Sequence, residues 1–219
     1  GIDIGSVKQL LTKLQDEGKT VILVTLDIEL TGIIALLDTP KPSAKTAIQY
    51  LKKMGIQVVM LTGDNERTAK TVARELDIGK VFANVIPSGK SDIVKLLQNE
   101  GKVAMIGDGI NDALALTEAD IGIAIGSGTD IAIESGKVVL IRDDLMDVVS
   151  AIEISKKTVS KIRQNLFYAF VYNVALVPIA GLGFLYPTLA GLAMTTSSVS
   201  VTSSSLLLRR WSPPSKRKQ

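Results

Sequence analysis

The 219-residue sequence contains no cysteine and no histidine, and aromatic residues make up only 4% of it. Without cysteine there is no disulfide scaffold, and without either residue there is no zinc site of Cys/His type. Catalysis through a thiolate or an imidazole is excluded with them. Charge is missing in one place: from Gln164 to Leu208, 45 residues pass without an Asp, Glu, Lys or Arg. Beyond that gap the only charged residues are Arg209, Arg210, Lys216, Arg217 and Lys218, which leaves 20 of the 25 basic residues against 22 acidic ones before it. The basic balance therefore belongs to the tail, and the body does not read as nucleic-acid-binding. What is abundant is apolar: 46% of the chain is hydrophobic, enough at this length for a buried core in one or two domains. Gly1 in place of a Met points to a fragment or a processed product.

As helix, the charge-free run would extend roughly 67 Å at about 1.5 Å per residue, enough for two crossings of a ~30 Å hydrocarbon core. Gly181-Leu182-Gly183 and Tyr186-Pro187 mark the break between them. Lys156, Lys157, Lys161 and Arg163 precede the first span and Arg209 and Arg210 close the second, which by the positive-inside rule puts both ends in the cytoplasm. The expectation is a transmembrane hairpin in a multi-pass membrane protein; the position of the run before a basic tail does not fit a signal peptide. The second span is polar, from Met194-Thr195-Thr196-Ser197-Ser198 through Ser203-Ser204-Ser205. Alone it would insert poorly, whereas small hydroxylated residues suit close helix packing or a polar pathway. Tyr172 and Asn173 fall at mid-depth of the first span, where an amide needs a partner. Met194 adds a thioether, a soft donor that favours Cu(I) or Ag(I).

Residues 1–163 alternate between helical and strand periods. Val7, Leu10, Leu11 and Leu14 make a helical stripe, and Thr20–Leu26 with Ile28–Leu37 read as two strands about Asp27. Helix Ala44–Met54, strand Ile56–Leu61, helix Glu66–Leu76, strand Val81–Val85 and helix Ser88–Gln98 follow. Strand Val103–Ile106, helix Ala113–Glu118, strand Ile121–Ile125, a short helix about Asp130–Glu134, strand Val138–Ile141 and a helix from Leu145 complete the series. Short continuous apolar strands alternating with helices predict an α/β fold with a doubly wound parallel sheet. The tail from Trp211 to Gln219 carries no such pattern.

In that architecture chemistry gathers at the carboxyl ends of strands. Three polar clusters fall there: Thr62-Gly63-Asp64, Lys90 at the opening of the helix after Pro87-Ser88-Gly89, and Gly107-Asp108-Gly109-Ile110-Asn111-Asp112. Thr-Gly-Asp alone is commonly a turn with a helix cap, and a lone lysine at a helix start is weaker still. The hexapeptide after an apolar strand is specific, and the three in order more so. Together they suit phosphoryl transfer. Glycines let the backbone approach a phosphate, Thr62 and nearby N–H groups hold phosphoryl oxygens, and Lys90 meets the charge spread over them. Asp108 and Asp112 are hard oxygen ligands suited to Mg²⁺, with Asn111 able to hydrogen-bond the same site.

Thr62-Gly63-Asp64-Asn65, Lys90 and Gly107–Asp112 resemble the second, third and fourth motifs of the haloacid dehalogenase superfamily in its P-type ATPase form. Gly126-Ser127-Gly128-Thr129-Asp130-Ile131-Ala132 looks like a later segment of that family's P-domain, and Asp38-Thr39-Pro40-Lys41-Pro42 like the hinge at which the chain re-enters it. Tyr172-Asn173 and Met194-x-x-Ser197-Ser198 resemble the seventh- and eighth-helix metal motifs of copper(I)-exporting pumps, whereas zinc and cadmium pumps would show a Lys and an Asp there. The resemblance implies the end of a nucleotide-binding domain at 1–37, a P-domain at 38–150, a linking helix at 151–163, two transmembrane helices at 164–208 and a basic cytoplasmic tail at 209–219. It implies Mg²⁺ and ATP as cofactors. Catalysis would involve Thr62, Gly63, Asp64, Lys90 and Asn111, with Mg²⁺ on Asp108 and Asp112. Tyr172, Asn173, Met194, Ser197 and Ser198 would meet a transported copper(I) or silver ion. The partners implied are the membrane, the ion and the missing N-terminal portion of the same pump.

The family's Asp-Lys-Thr-Gly-Thr, whose Asp is phosphorylated, and the Cys-Pro-Cys of its sixth helix do not occur here. Leu114 stands where the family usually has Pro, and Lys137 where an acidic residue is common. The chain alone should therefore not turn over ATP, because the covalent step needs that carboxylate. One alternative is a membrane-anchored phosphatase of the same superfamily with Asp27 as nucleophile and Glu29 as acid, although Asp27 reads better as a hairpin turn. Another is a non-enzymatic, metal-binding or regulatory membrane fragment.

Overall fold

The computed structural model describes residues 4–36, 39–108, 111–126, 137–184 and 186–213. The chain divides into two compact units, 1–148 and 149–219.

In the first unit a 3-10 turn at Gly5–Val7 leads into α1 (Lys8–Asp16). β1 (Thr20–Leu26) and β2 (Glu29–Leu36) then pair antiparallel with Leu26 opposite Glu29, so Asp27 and Ile28 alone form the turn. Asp27 takes a left-handed φ of 53°, a conformation that Asp tolerates because its short side chain can bond the local backbone. α2 (Pro42–Lys53) starts on a proline that needs no N–H partner and buries Ala44, Ala47, Ile48 and Leu51, one helical stripe. Gly55, at φ 76°, ends it.

β3 (Val59–Leu61) pairs in parallel with β4 (Lys80–Phe82), and α3 (Glu66–Glu75) connects them. Asn65 caps α3 by accepting from the Arg67 and Thr68 N–H groups at 3.1 and 3.0 Å. α4 (Pro87–Gln98) follows, then β5 (Ala104–Gly107), α5 (Ala113–Glu118), β6 (Ile121–Ile125) and β7 (Val138–Leu140). The last three strands pair in parallel in the order β5-β6-β7. Val94, Met105, Ala115, Leu116 and Ala119 form a buried cluster between α4, α5 and β5, and Leu61 and Val103 pack against it. A Cβ on Gly122 would lie 2.4 Å from the Leu116 carbonyl oxygen, so α5 can seat on β6 this closely only because the side chain is absent.

The sequence predicts one wound sheet, and the parallel strands are instead hydrogen-bonded as two ladders. The strand expected over Ile56–Leu61 shrinks to its last three residues. The one expected over Val81–Val85 ends at Phe82, because Asn84 turns to a left-handed φ of 54°. The short helix expected about Asp130–Glu134 lies outside the described residues, as do Asp38, most of Gly126–Ala132 and residues 214–219.

α6 (Leu145–Gly181) begins at the end of the first unit, and α7 (Pro187–Leu208) lies in the second. Between them Gly183, at φ 77°, sits in the predicted break. The two helices run antiparallel and bond to each other: Lys161 Nζ donates to Ser204 Oγ at 3.3 Å and Asn165 Nδ2 to Ser205 Oγ at 2.8 Å, and the Tyr172 and Ser200 hydroxyls lie 3.4 Å apart. Among the described residues no helix is long and apolar enough to cross a membrane. The helical hairpin thus forms where expected, but its transmembrane character is not confirmed. The reason is composition: Gln164, Asn165, Tyr168, Tyr172 and Asn173 interrupt the apolar surface of α6, and hydroxyls fill the middle of α7.

Away from the strand ends that bear the motifs, Asp120 ties the β5–β6 edge together. Its carboxylate accepts from Lys102 Nζ at 2.7 Å, the Val103 N–H at 3.0 Å and Gln98 Nε2 at 3.4 Å. These donors, Lys102 foremost, hold its pKa down at about 2. A carboxyl depressed on folding stabilises the fold while ionised, so its contribution is complete above pH 4 or so and is lost as pH falls toward 2. Thermal melts over that interval should show a steep loss of stability in the wild type and a shallower one in Asp120→Asn.

Candidate active site

Thr62 follows β3, and its backbone is bound on both sides by the segment after β4. Its N–H donates to the Phe82 carbonyl at 3.0 Å, and its own carbonyl accepts from the Val85 N–H at 3.1 Å. The Asn84 N–H donates to the Asp64 carbonyl at 2.8 Å, which is what its left-handed turn achieves. Within the tripeptide the Thr62 hydroxyl donates to Asp64 Oδ2 at 2.8 Å and accepts from the Asp64 N–H at 3.1 Å. Thr62, Gly63 and Asp64 therefore form one closed loop at the strand end, with Gly63 and Asp64 exposed. The same segment that grips this loop runs straight into α4.

From the first turns of α4, Lys90 donates to Asp112 Oδ1 at 2.6 Å, and both side chains are only 13% exposed. Asp112 precedes α5, and its carbonyl accepts the Leu116 N–H at 2.8 Å, so its position is set by the helix that follows. Its carboxylate lies directly against the backbone of Gly107: a Cβ there would come within 2.4 Å of Asp112 Oδ2 and 2.7 Å of its Cβ. The glycine that ends β5 thus leaves the space this carboxylate fills. Asp108, the next residue, is exposed at the rim, as is Asn111, while Gly109 and Ile110 lie outside the described residues. Leu114 points to solvent and leaves α5 intact, and Lys137 donates to the Asp120 carbonyl at 2.8 Å, away from these loops.

The structure links the three sequence motifs in series: the Thr62 loop is held by the segment that enters α4, Lys90 of α4 meets Asp112, and within the third motif Asp112 lies against Gly107. Asp108 and Asp112 are hard oxygen donors of the kind a divalent cation takes. Among the described residues no group of three acidic, His or Cys side chains is placed to hold a metal, so these two would form part of a coordination shell and not all of it. What the sequence reasoning missed is the backbone clamp at Asn84 and Val85 and the partnership of Asp112 with Lys90. Spacing along the chain gives no sign of either.

Asp27 sits at the exposed tip of a hairpin whose strands, among the described residues, pair only with each other. That placement supports the turn reading and keeps Asp27 off the ladders that carry the motifs. In the second unit Asn173 Nδ2 donates to the Ala169 carbonyl of its own helix at 2.8 Å, not across to α7. Met194 is 71% exposed and Ser198 is exposed, Ser197 half-buried. Of the expected metal-path residues, Tyr172 is joined to the facing helix by a hydroxyl contact, to Ser200. The interhelical bonds of Lys161, Asn165, Ser204 and Ser205 were not anticipated, although the four-residue step from Lys161 to Asn165 marks one helical face.

Residues 3–120 match the model of the haloacid dehalogenase-like hydrolase family. Over 96% of its length the chain is 55% identical to a probable copper-exporting P-type ATPase of Archaeoglobus fulgidus, of which it covers 27%. It is 51% identical to copper-transporting ATPase 1 of Mus musculus, over 95% of this chain and 14% of that protein. Among solved structures it is similar to a zinc-transporting PIB-type ATPase in the E2.Pi state, with a TM-score of 0.81 and 39% identity over 94% of this chain and 34% of that one. The chain thus spans about a quarter or less of these curated relatives.

Crowding at Gly107 is directly testable. Gly107→Ala should lower unfolding stability by about 1–3 kcal/mol, because the methyl group must displace Asp112. Gly79→Ala, where an added Cβ meets nothing within 4 Å, should leave denaturant midpoints nearly unchanged.

Proposed function

Because the chain belongs to the haloacid dehalogenase-like hydrolase family, we propose that it works as the phosphoryl-transfer portion of an ATP-driven copper(I) efflux pump, together with two helices of the ion path. The observation that carries this reading is the Lys90–Asp112 contact of 2.6 Å, which sets a cation and a carboxylate side by side where α4 meets the loop before α5. The reaction would move the terminal phosphoryl group of ATP to an aspartate in the part of the pump outside this sequence, and then to water.

Lys90, largely shielded from solvent and fixed by Asp112, would meet the phosphoryl oxygens with an ammonium that needs little reorganisation. Thr62, its hydroxyl already oriented by Asp64, would hold a phosphoryl oxygen, and Gly63 leaves the backbone open to it. Asp108 and Asp112 would hold Mg²⁺, which supplies charge neutralisation at the phosphoryl group when bound. Asn111, at the rim between them, would hydrogen-bond the same oxygens.

For the ion, Tyr172, Asn173, Met194, Ser197 and Ser198 offer a thioether and neutral oxygens, a softer set than the charged Lys and Asp expected of zinc or cadmium pumps, and residues 164–208 contain no charge. This favours copper(I), or silver, over the zinc transported by the structural relative. The membrane character of α6 and α7 is best understood in company. Asn165 Oδ1 is buried with no partner among the described residues, and an amide oxygen left so costs about 1–3 kcal/mol. A donor from further helices of the full pump would satisfy it, and such helices would also cover the polar positions that keep either helix from spanning alone.

The test is a replacement. The chain is substituted for the matching segment of the Archaeoglobus fulgidus relative, and ATP hydrolysis is followed with and without copper(I). Copper-stimulated turnover should be retained, fall at least about 100-fold with Lys90→Ala or Asp108→Asn, and lose only its copper dependence with Asn173→Ala. A hybrid that hydrolyses ATP without regard to copper, or equally well with Lys90→Ala, would contradict the assignment.

A further inference from the structure

Ion pairs such as Lys52–Asp77, Lys80–Glu100 and Lys90–Asp112 balance charge within the first unit. The second unit is charged differently: Lys156, Lys157, Lys161, Arg163, Arg209 and Arg210 stand against Glu153 alone before the tail. Ser155, Lys156, Val159, Ser160 and Arg163 line an open hollow of about 370 Å³ on α6. Lys156, Ser160 and Arg163 are spaced four and three residues apart, so they share one face of the helix. The donors there are an ammonium, a guanidinium fork and two hydroxyls. Among the described residues no carboxylate lines the hollow, so it suits an oxyanion and repels a cation.

The same face changes character one turn further on. Leu166, Phe167, Phe170 and Val174 lie three, four, seven and eleven residues beyond Arg163, and all four are exposed. A cationic, hydroxyl-rich hollow thus opens onto an apolar stripe along a single helix face. Arg209 and Arg210 belong to the same end of the unit. The bonds Lys161–Ser204 and Asn165–Ser205 fix the antiparallel register, and α7 continues from there to its basic close.

We propose that this face of α6 binds one anionic phospholipid, its phosphate in the hollow of Ser155, Lys156, Ser160 and Arg163 and its acyl chains along Leu166, Phe167, Phe170 and Val174. The stripe distinguishes a lipid from free phosphate, because a phosphate ion alone would leave that apolar surface in water. The lipid would fix the depth at which the charge-free segment begins, because a lysine or arginine beside an anionic headgroup is attracted to it at the membrane surface. The inference rests on the reading of α6 and α7 as membrane-associated.

The full chain in neutral detergent is titrated calorimetrically with dioctanoyl phosphatidylglycerol, dioctanoyl phosphatidylcholine and glycerol phosphate. Phosphatidylglycerol should bind saturably and at least about tenfold more tightly than either of the others. That affinity should fall about tenfold in Lys156→Gln/Arg163→Gln, and in part with Arg163→Gln alone. It should be unaffected by Lys8→Gln/Lys13→Gln, which removes the same charge from α1. Equal binding of the two lipids, glycerol phosphate binding as tightly as phosphatidylglycerol, or an undiminished affinity in the double variant would each overturn the proposal. Flotation with phosphatidylcholine vesicles checks the membrane reading separately. A chain that floats with them yet shows no preference for phosphatidylglycerol defeats the lipid site alone, and one that floats with no vesicle defeats both.

Discussion

An ammonium and a carboxylate 2.6 Å apart, both largely withdrawn from water, determine how the candidate active site is put together. Lys90 belongs to α4 and Asp112 stands at the start of α5, so their contact closes the gap between two connections of the parallel strands. Withdrawing either charge from solvent costs energy, and the pair is tolerable because each offsets the other. Below it, Val94 of α4 and Ala115 and Leu116 of α5 pack into one apolar cluster with Met105. The polar contact at the rim and the apolar contact beneath therefore specify the same helix arrangement. Gly107 allows it by leaving room for Asp112, and the Thr62 loop joins it through the backbone of Asn84 and Val85.

The second unit rests on a different principle. Its helices meet through hydrogen bonds that the Lys161 ammonium and the Asn165 amide donate to the small hydroxyls of Ser204 and Ser205, residues of the kind that suit close helix packing. Such contacts give register more than affinity. They fit a helix pair that takes its final stability from neighbours, and the chain spans only a fraction of the length of its curated relatives. The polarity that keeps either helix from crossing a membrane alone is the feature that would line a path for an ion inside a larger bundle.

Much of this was legible in the sequence, for identifiable reasons. The α-helices of the first unit follow apolar stripes and clear caps, such as Asn65 before α3 and Pro87 opening α4. The antiparallel turn at Asp27 was legible because strand-like residues resume at once on either side of it. The strand ends were less so: Asn84 is of a type that tolerates a left-handed conformation, but it lies in an apolar run that reads as continuous strand, and the turn follows from its bond to Asp64 on a neighbouring loop. The motif residues stood out by type and order, but their partners did not. Asp112 was expected to serve a cation and is held by Lys90, a pairing across 22 positions that only the packing of α4 on α5 creates. Of the residues expected on a metal path, Asn173 bonds within its own helix and Met194 faces outward. Helix geometry of two helices alone does not converge them.

A double-mutant cycle on Lys90 and Asp112 measures most directly whether this pair organises the site. Wild type, Lys90→Met, Asp112→Asn and the double variant are unfolded in denaturant at neutral pH. A favourable coupling of about 1–3 kcal/mol is expected, with each single variant losing nearly as much stability as the double. Additive losses, with coupling below about 0.5 kcal/mol, would mean that Lys90 and Asp112 do not act together, and the site described here would not exist as a unit.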